Sequence, residues 1–293
     1  MNYLFSYYGE IPKYVVFTLN NILNIDKDAV IYLATDQKIE SKNIKTLNIQ
    51  ETFLVDKLNV LNKNFENLNT KSNANPLWAT SLLRIYALKE LKDYFKVNSF
   101  VHFDTDVIVY KSFNEISKKH EFLSSSISIT QNDIMNLVFG YSYFPNEESI
   151  DNLVKKLDQN LLNIETLQNI YARGGDIPEM RHLGILNLMY QGMFSMLPIL
   201  PYENRDLIFD PAGYGQYLNG THLKRGNYIF KRRWISMNHI VGPELKSKRI
   251  ECQFNKSPYV IHQNRKTELA NLHVHSKNIL KFLPKKQKNY IDL

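Results

Sequence analysis

The sequence predicts an α/β fold in which a mostly parallel sheet carries helices on both faces. Three observations predict it. Short apolar runs of strand length (residues 3–7, 29–34 and 99–103) are separated by stretches long enough to be helices. Between the second and third runs, Leu82, Ile85, Leu88, Leu91 and Phe95 recur at steps of three or four, the signature of a one-faced amphipathic helix. The chain has 293 residues, 44% hydrophobic and 22% charged, so it can bury a large core without disulfides or metal staples.

Taken in order, residues 3–7 form an aromatic-rich strand. Gly9 and Pro12 break it and open a helix running to about residue 23. Residues 29–34 (AVIYLA) are a second strand closed by Thr35 and Asp36, and 45–49 a third. Pro76 stands where the amphipathic helix begins, and that helix ends near Phe95. In the second half, 122–130 and 137–144 read as strands and 147–162 and 179–190 as helices. Residues 196–200, 234–240 and 271–275 are short strand candidates. No repeat, low-complexity linker or domain boundary interrupts the chain, which reads as a single domain.

Composition narrows the class of function. Cys252 is the one cysteine, which excludes an internal disulfide and a cysteine-based zinc cluster and points to a reducing, cytoplasmic setting. Residues 1–8 enter a core strand directly, so no signal peptide is expected. No apolar stretch approaches the ~20 residues that span a bilayer. The net charge is +7. The excess collects in Arg225, Lys231, Arg232 and Arg233, in Lys246, Lys248 and Arg249, and in Lys281, Lys285, Lys286 and Lys288. Such groups suit a phosphate-rich partner or peripheral contact with an anionic membrane, and suit a solvated basic face equally well. No DNA- or RNA-binding motif accompanies them, so no nucleic-acid partner is expected.

The most informative segment is 99–109, SFVHFDTDVIV. Two carboxylates, Asp104 and Asp106, stand between apolar flanks where a strand leaves the core. Burying them is costly unless something neutralises them. Residues two apart in extended chain point the same way, so both can address one Mg²⁺ or Mn²⁺. The carboxyl edge of an open α/β sheet is also where ligands bind.

In this context the segment resembles the DxD motif of GT-A glycosyltransferases. The resemblance implies a Rossmann-like mixed sheet flanked by helices, with residues 1–130 as the nucleotide-binding half and 131–293 as the sugar and acceptor half. It implies Mn²⁺ or Mg²⁺ as cofactor, a nucleotide-sugar donor (a UDP-sugar foremost), and a glycan or glycolipid acceptor. By the same resemblance Phe5, Ser6 and Tyr7 occupy the strand that holds nucleobase and ribose, and Asp36 lies near the base. Arg84 approaches the carboxylates, and Asp104 and Thr105 touch the donor. The C-terminal region supplies a histidine to the metal and Lys277 to the diphosphate. Residues 271–276 read as a strand, which puts His273 and His275 on one face, with Lys277 beside them if extension continues; His275 is the preferred ligand.

Two further segments gather polar residues among glycines. In 172–180, Asp176 reads either as a cap of the following helix or, with Glu179, as an acid facing the donor sugar or serving as base. In 209–222, Asp210, Gln216 and His222 suit sugar hydroxyls, Tyr214 and Tyr217 suit a sugar face, and the segment is expected near the acceptor. Whether the chemistry inverts or retains stays open. A metal-dependent nucleotidyltransferase and a basic nucleic-acid-binding protein are the competing readings. The first usually needs a third carboxylate and a glycine-rich phosphate loop, and no such loop occurs early in the chain.

Overall fold

Runs of aromatic and β-branched residues form the strands, and the segments between them form the helices that cover the sheet. The computed structural model describes residues 1–39, 42–66, 77–220, 224–225, 228–229 and 233–283. The first part alternates: β1 (Asn2–Tyr7), α1 (Lys13–Ile25), β2 (Val30–Thr35), β3 (Ile44–Asn48), α2 (Leu54–Glu66), α3 (Leu77–Phe95) and β4 (Phe100–His102). Then come β5 (Val107–Val109), α4 (Phe113–Ser117), β6 (Ile127–Asp133), β7 (Asn136–Phe144), α5 (Glu147–Leu162), α6 (Ile164–Ala172), α7 (Glu179–Met189) and β8 (Phe194–Met196). The last part holds β9 (Leu207–Ile208), α8 (Gly213–Asn219), β10 (Lys224–Arg225), β11 (Tyr228–Ile229), α9 (Val241–Lys246), β12 (Glu251–Phe254), β13 (Pro258–His262), β14 (Arg265–Leu269) and β15 (Asn271–His273).

Seven strands make the central sheet, in the order β3-β2-β1-β4-β7-β6-β8. All pairings are parallel except those of β7 with β4 and β6. The carboxyl ends of β1, β4, β6 and β8 therefore share one edge. A four-stranded sheet, β12-β13-β14-β9, lies beyond it, and β15 pairs antiparallel with β5. The result is a single α/β domain with a mixed, mostly parallel sheet flanked by helices, the Rossmann-like arrangement expected.

One face of the sheet packs on α3, α5 and α7 through Leu83, Leu88, Leu153 and Leu186, all fully buried. The other packs on α1 through Val15, Leu19 and Ile22, each side chain contributing about 1.5–3 kcal/mol by leaving water. The C-terminal sheet has its own core, in which Tyr214, Val260 and Leu272 meet.

Several expectations are corrected. Helix α3 is not one-faced: Leu82, Leu83, Ile85, Tyr86, Ala87, Leu88 and Leu91 are all buried, because β1, β2, α2, α5 and α7 surround it. The strand expected at 122–130 starts at Ile127 and runs on to Asp133. The one expected at 196–200 is Phe194–Met196, since Pro198 cannot donate to a ladder. Residues 234–240 form no strand: the chain is irregular to Ser236 and then turns, with His239 N–H on the Ser236 carbonyl and Gly242 N–H on that of His239. The strand at 271–275 stops at His273. The helix start at Pro76 lies outside the described residues, as do His222, Lys231, Arg232, Lys285, Lys286 and Lys288.

Candidate metal centre and donor site

The site is built at the carboxyl end of β4. Phe103, one residue past the strand, packs edge-on against Phe5 at 5.1 Å and anchors the exit. The Asp104 N–H donates to the Phe139 carbonyl of β7 (2.8 Å), and Val107 N–H donates back to the Asp104 carbonyl (3.0 Å). The chain therefore turns over Thr105 and Asp106 instead of staying extended. The two carboxylates converge through this turn, not through strand alternation. Helix α1 pins it: Thr18 Oγ1 donates to the Thr105 carbonyl (2.9 Å) and Asn21 Nδ2 to that of Val109 (2.7 Å).

Beyond the turn, β5 pairs with β15 so that Val107 faces His273. The Asp106 carbonyl accepts the Val274 N–H at 2.8 Å. This register brings His273 Nε2 to 3.0 Å from Asp106 Oδ1 and 3.8 Å from Asp104 Oδ2. One ligand atom from each of Asp104, Asp106 and His273 lies within 4.8 Å of the others. Two carboxylates and an imidazole, with Asp106 and His273 buried and Asp104 partly exposed, form a mixed oxygen and nitrogen set that fits Mn²⁺ or Mg²⁺. Burial works against the Asp106 charge, but His273 and Lys277 hold its carboxyl well below the usual range. Burial also opposes charge on His273, yet Asp106 and Asp104 keep its pKa above the ordinary value.

His275, the histidine preferred from the sequence, is not in this cluster. It stacks face to face on His273, with centroids 4.4 Å apart and planes within 2°, and so orients the ring. Burial pushes its pKa down to about 3. Lys277 reaches the cluster, though not by continued extension. A turn closed by Lys277 N–H on the Val274 carbonyl (2.8 Å), with Lys277 at φ +60°, returns its ammonium to Asp106.

Arg84 explains why α3 can carry a charge into the core. Its guanidinium bonds Asp104 Oδ1 and, through the other terminal nitrogen, Glu179 Oε1 at 2.8 Å and Oε2 at 2.6 Å. It also lies 5.3 Å from the centroid of the Phe139 ring. Burial opposes its charge, but Asp104 and Glu179 raise its pKa beyond the ordinary value. Glu179, in the first turn of α7, is pushed up to about 7 by burial, against the pull of Arg84. Glu179 therefore faces Arg84, and its two oxygens are taken there.

Asp210 sits in the same region but faces no cleft. It is fully buried. Its carboxylate accepts N–H bonds from Tyr214 (2.8 Å), Gly215 (2.8 Å) and His273 (2.9 Å). Burial pushes its pKa up while these backbone donors pull it down. It ties α8 to β15 and positions His273, so the expectation that it meets an acceptor is corrected by its enclosure. Asn271, also fully buried, completes the brace by accepting Asp210 N–H (3.0 Å) and donating to the Gly140 carbonyl (2.9 Å). Asp176 lies half-buried in the loop before α7, and the N-cap of that helix is Pro178.

On the N-terminal side, the Phe5 ring is sealed in the core, so it cannot stack on a base. Ser6 is largely buried, whereas Tyr7 is half-buried with its hydroxyl 3.4 Å from that of Tyr14. Asp36 accepts the N–H of Gly9 (2.9 and 3.2 Å), whose φ of +84° suits glycine. A separate cavity of about 360 Å³ opens between β6 and the chain after β8, lined in part by His120, Gln131, Leu197, Pro198 and Ile240.

With this geometry in view, the comparisons with known proteins find likeness among solved structures. No family model matches the sequence, and no curated protein matches it either. Among solved structures, mouse xyloside xylosyltransferase 1 aligns over 67% of this chain and 84% of its own at 11% identity and a TM-score of 0.46. The galactosyltransferase LgtC, solved with donor and acceptor sugar analogues, aligns over 71% and 76% at 11% identity and a TM-score of 0.44. The glycosyltransferase GlyE of Streptococcus pneumoniae aligns over 70% and 47% at 11% identity and a TM-score of 0.40.

Sequence reasoning missed Thr18, Asn21 and Asn271. Each left a faint trace, a polar residue inside an apolar run (FTLNNIL and LANLH). A buried amide or hydroxyl needs a partner, and here the partner is the backbone of the site.

Proposed function

We propose that this protein is a metal-dependent glycosyltransferase of the GT-A type, which moves a sugar from a nucleotide-sugar donor to a glycan or glycolipid acceptor. The observation that carries the reading is the convergence of Asp104, Asp106 and His273 at the carboxyl edge of the parallel strands. A divalent cation held there would offset the negative charge of the donor diphosphate. Arg84 bonds Asp104 and aims its carboxylate. Lys277 is the residue for the departing phosphates, and Tyr7, Ser6 and Asp36 are those for the nucleoside, with residues 1–130 as the nucleotide half.

The sugar and acceptor fall to residues 131–293. Asp176, half-buried in the loop before α7, is our candidate for sugar contact or base. The cavity beside Gln131 opens on the same sheet edge and is our candidate for the acceptor. We place the reaction in the cytoplasm, at the inner face of a membrane, on the strength of the single cysteine and the basic residues toward the C-terminus. Among the described residues no helix is long and apolar enough to cross a membrane. Nucleotidyl transfer is less well supported, because the third acid near the pair, Glu179, is bound to Arg84. Nucleic-acid binding gives a buried Asp–Asp–His set no purpose.

The test is a screen of UDP-, GDP- and CMP-sugars with and without Mn²⁺. One donor should be consumed only with metal, and Asp106→Ala should lose that activity while melting normally. Full activity in EDTA, or in Asp106→Ala, contradicts the assignment.

A further inference from the structure

Both oxygens of Asp106 are already engaged. Oδ1 faces His273 Nε2 at 3.0 Å, and Oδ2 is bonded by the Lys277 ammonium. The two partners in the second bond differ in freedom: the Asp106 side chain is 7% exposed and that of Lys277 is 38% exposed. The ammonium also lies 5.0 Å from the centroid of the Tyr14 ring, at the open side of the pair. Below it the backbone is fixed, since Lys277 ends a turn closed on Val274 and the neighbouring Ser276 is held by Asn219 Nδ2. A flexible stem on a fixed base lets the ammonium move while the carboxylate stays.

We propose that Lys277 is a built-in competitor for the cation site. The ammonium and a divalent cation exclude each other at Asp106, and the lysine yields when nucleotide phosphates arrive with the cation to receive it. The inference rests on the metal reading above and adds to it an order of events. A divalent cation alone binds weakly, because it must displace a charge-assisted hydrogen bond. Cation and nucleoside diphosphate bind as a pair, and the factor by which each strengthens the other is the same.

The experiment is calorimetric titration of Mn²⁺ alone into the full chain, for the wild type, Lys277→Ala and Asp106→Ala. Roughly 0.5 M KCl, present throughout, screens the long-range field of the basic surface. Lys277→Ala should bind Mn²⁺ about tenfold more tightly than the wild type, the scale of one hydrogen bond to a charged group. It should also gain less from added UDP. If Lys277→Ala melts early, Lys277→Gln serves in its place. Equal or weaker Mn²⁺ binding in the lysine variant, with binding still abolished by Asp106→Ala, overturns the competition and leaves the metal site standing. Absence of any Asp106-dependent Mn²⁺ binding in both proteins removes the metal reading and the competition with it.

Discussion

Asp210 and Glu179 are carboxylates that the sequence offered for chemistry and the fold uses for position. Asp210 receives three backbone N–H groups, one of them that of the metal-site residue His273. Asp210→Asn should therefore melt earlier, by about 1.5–3 kcal/mol of stability, because hydrogen bonds to a charged acceptor are lost. A true base would instead leave melting unchanged and lower the rate about 10²–10⁴-fold, so thermal melts and turnover together decide between the roles. Gly215 is constrained by contact: a Cβ there would lie 1.9 Å from the His273 carbonyl oxygen. Gly215→Ala should cost roughly 1–3 kcal/mol and weaken Mn²⁺ binding by shifting β15. Arg84 spans two acids with a planar fork that lysine cannot reproduce. Arg84→Lys should reduce metal affinity roughly 10–100-fold while the protein stays folded, as losses around a metal's ligands usually do. At this scale the Asp104 and Asp106 pair was legible because two acids at an apolar strand end have few uses. The choice between His273 and His275 was not, because it depends on where β15 stops pairing.

Among the elements, α7 couples the site to stability. Its first turn holds Glu179, and one turn on, His182 is fully buried with neither ring nitrogen hydrogen-bonded among the described residues. Burial pushes the His182 pKa from 6.5 down to about 4. The folded protein thus keeps it neutral while the unfolded chain takes a proton below pH 6.5. Stability from this group is fully present above pH 6.5 and is lost as pH falls toward 4, by at most roughly 3 kcal/mol. His182→Leu should flatten the acid limb of melting temperature against pH. An unchanged limb assigns the acid sensitivity to other groups. Helix and strand positions were largely legible: α5 and β2 fall within a residue of expectation, because long periodic runs and short apolar runs have few alternatives. Failures came where tertiary contact overrode pattern. Residues 234–240 are apolar enough for a strand, yet Ser236 and Gly242 turn the chain, and α3 is buried on most sides because β1, β2, α2, α5 and α7 crowd it.

Over the whole molecule, the site joins parts of the chain far apart in sequence. Asp104 and Asp106 leave β4, Arg84 comes from α3, Glu179 from α7, His273 ends β15 and Lys277 stands in the turn after it. The parallel sheet was legible in the alternation of elements. The antiparallel pairing of β15 with β5 was not, since three-residue strands carry almost no periodic signal and only the register Val107 to His273 closes the cluster. The central claim is that Asp104, Asp106 and His273 bind one divalent cation. Anomalous X-ray scattering from crystals soaked in Mn²⁺ and UDP tests it most directly. A single peak within bonding distance of both carboxylates and His273 Nε2, with Lys277 turned toward phosphate, is the result expected. A manganese peak coordinated elsewhere, or none at this cluster, contradicts it.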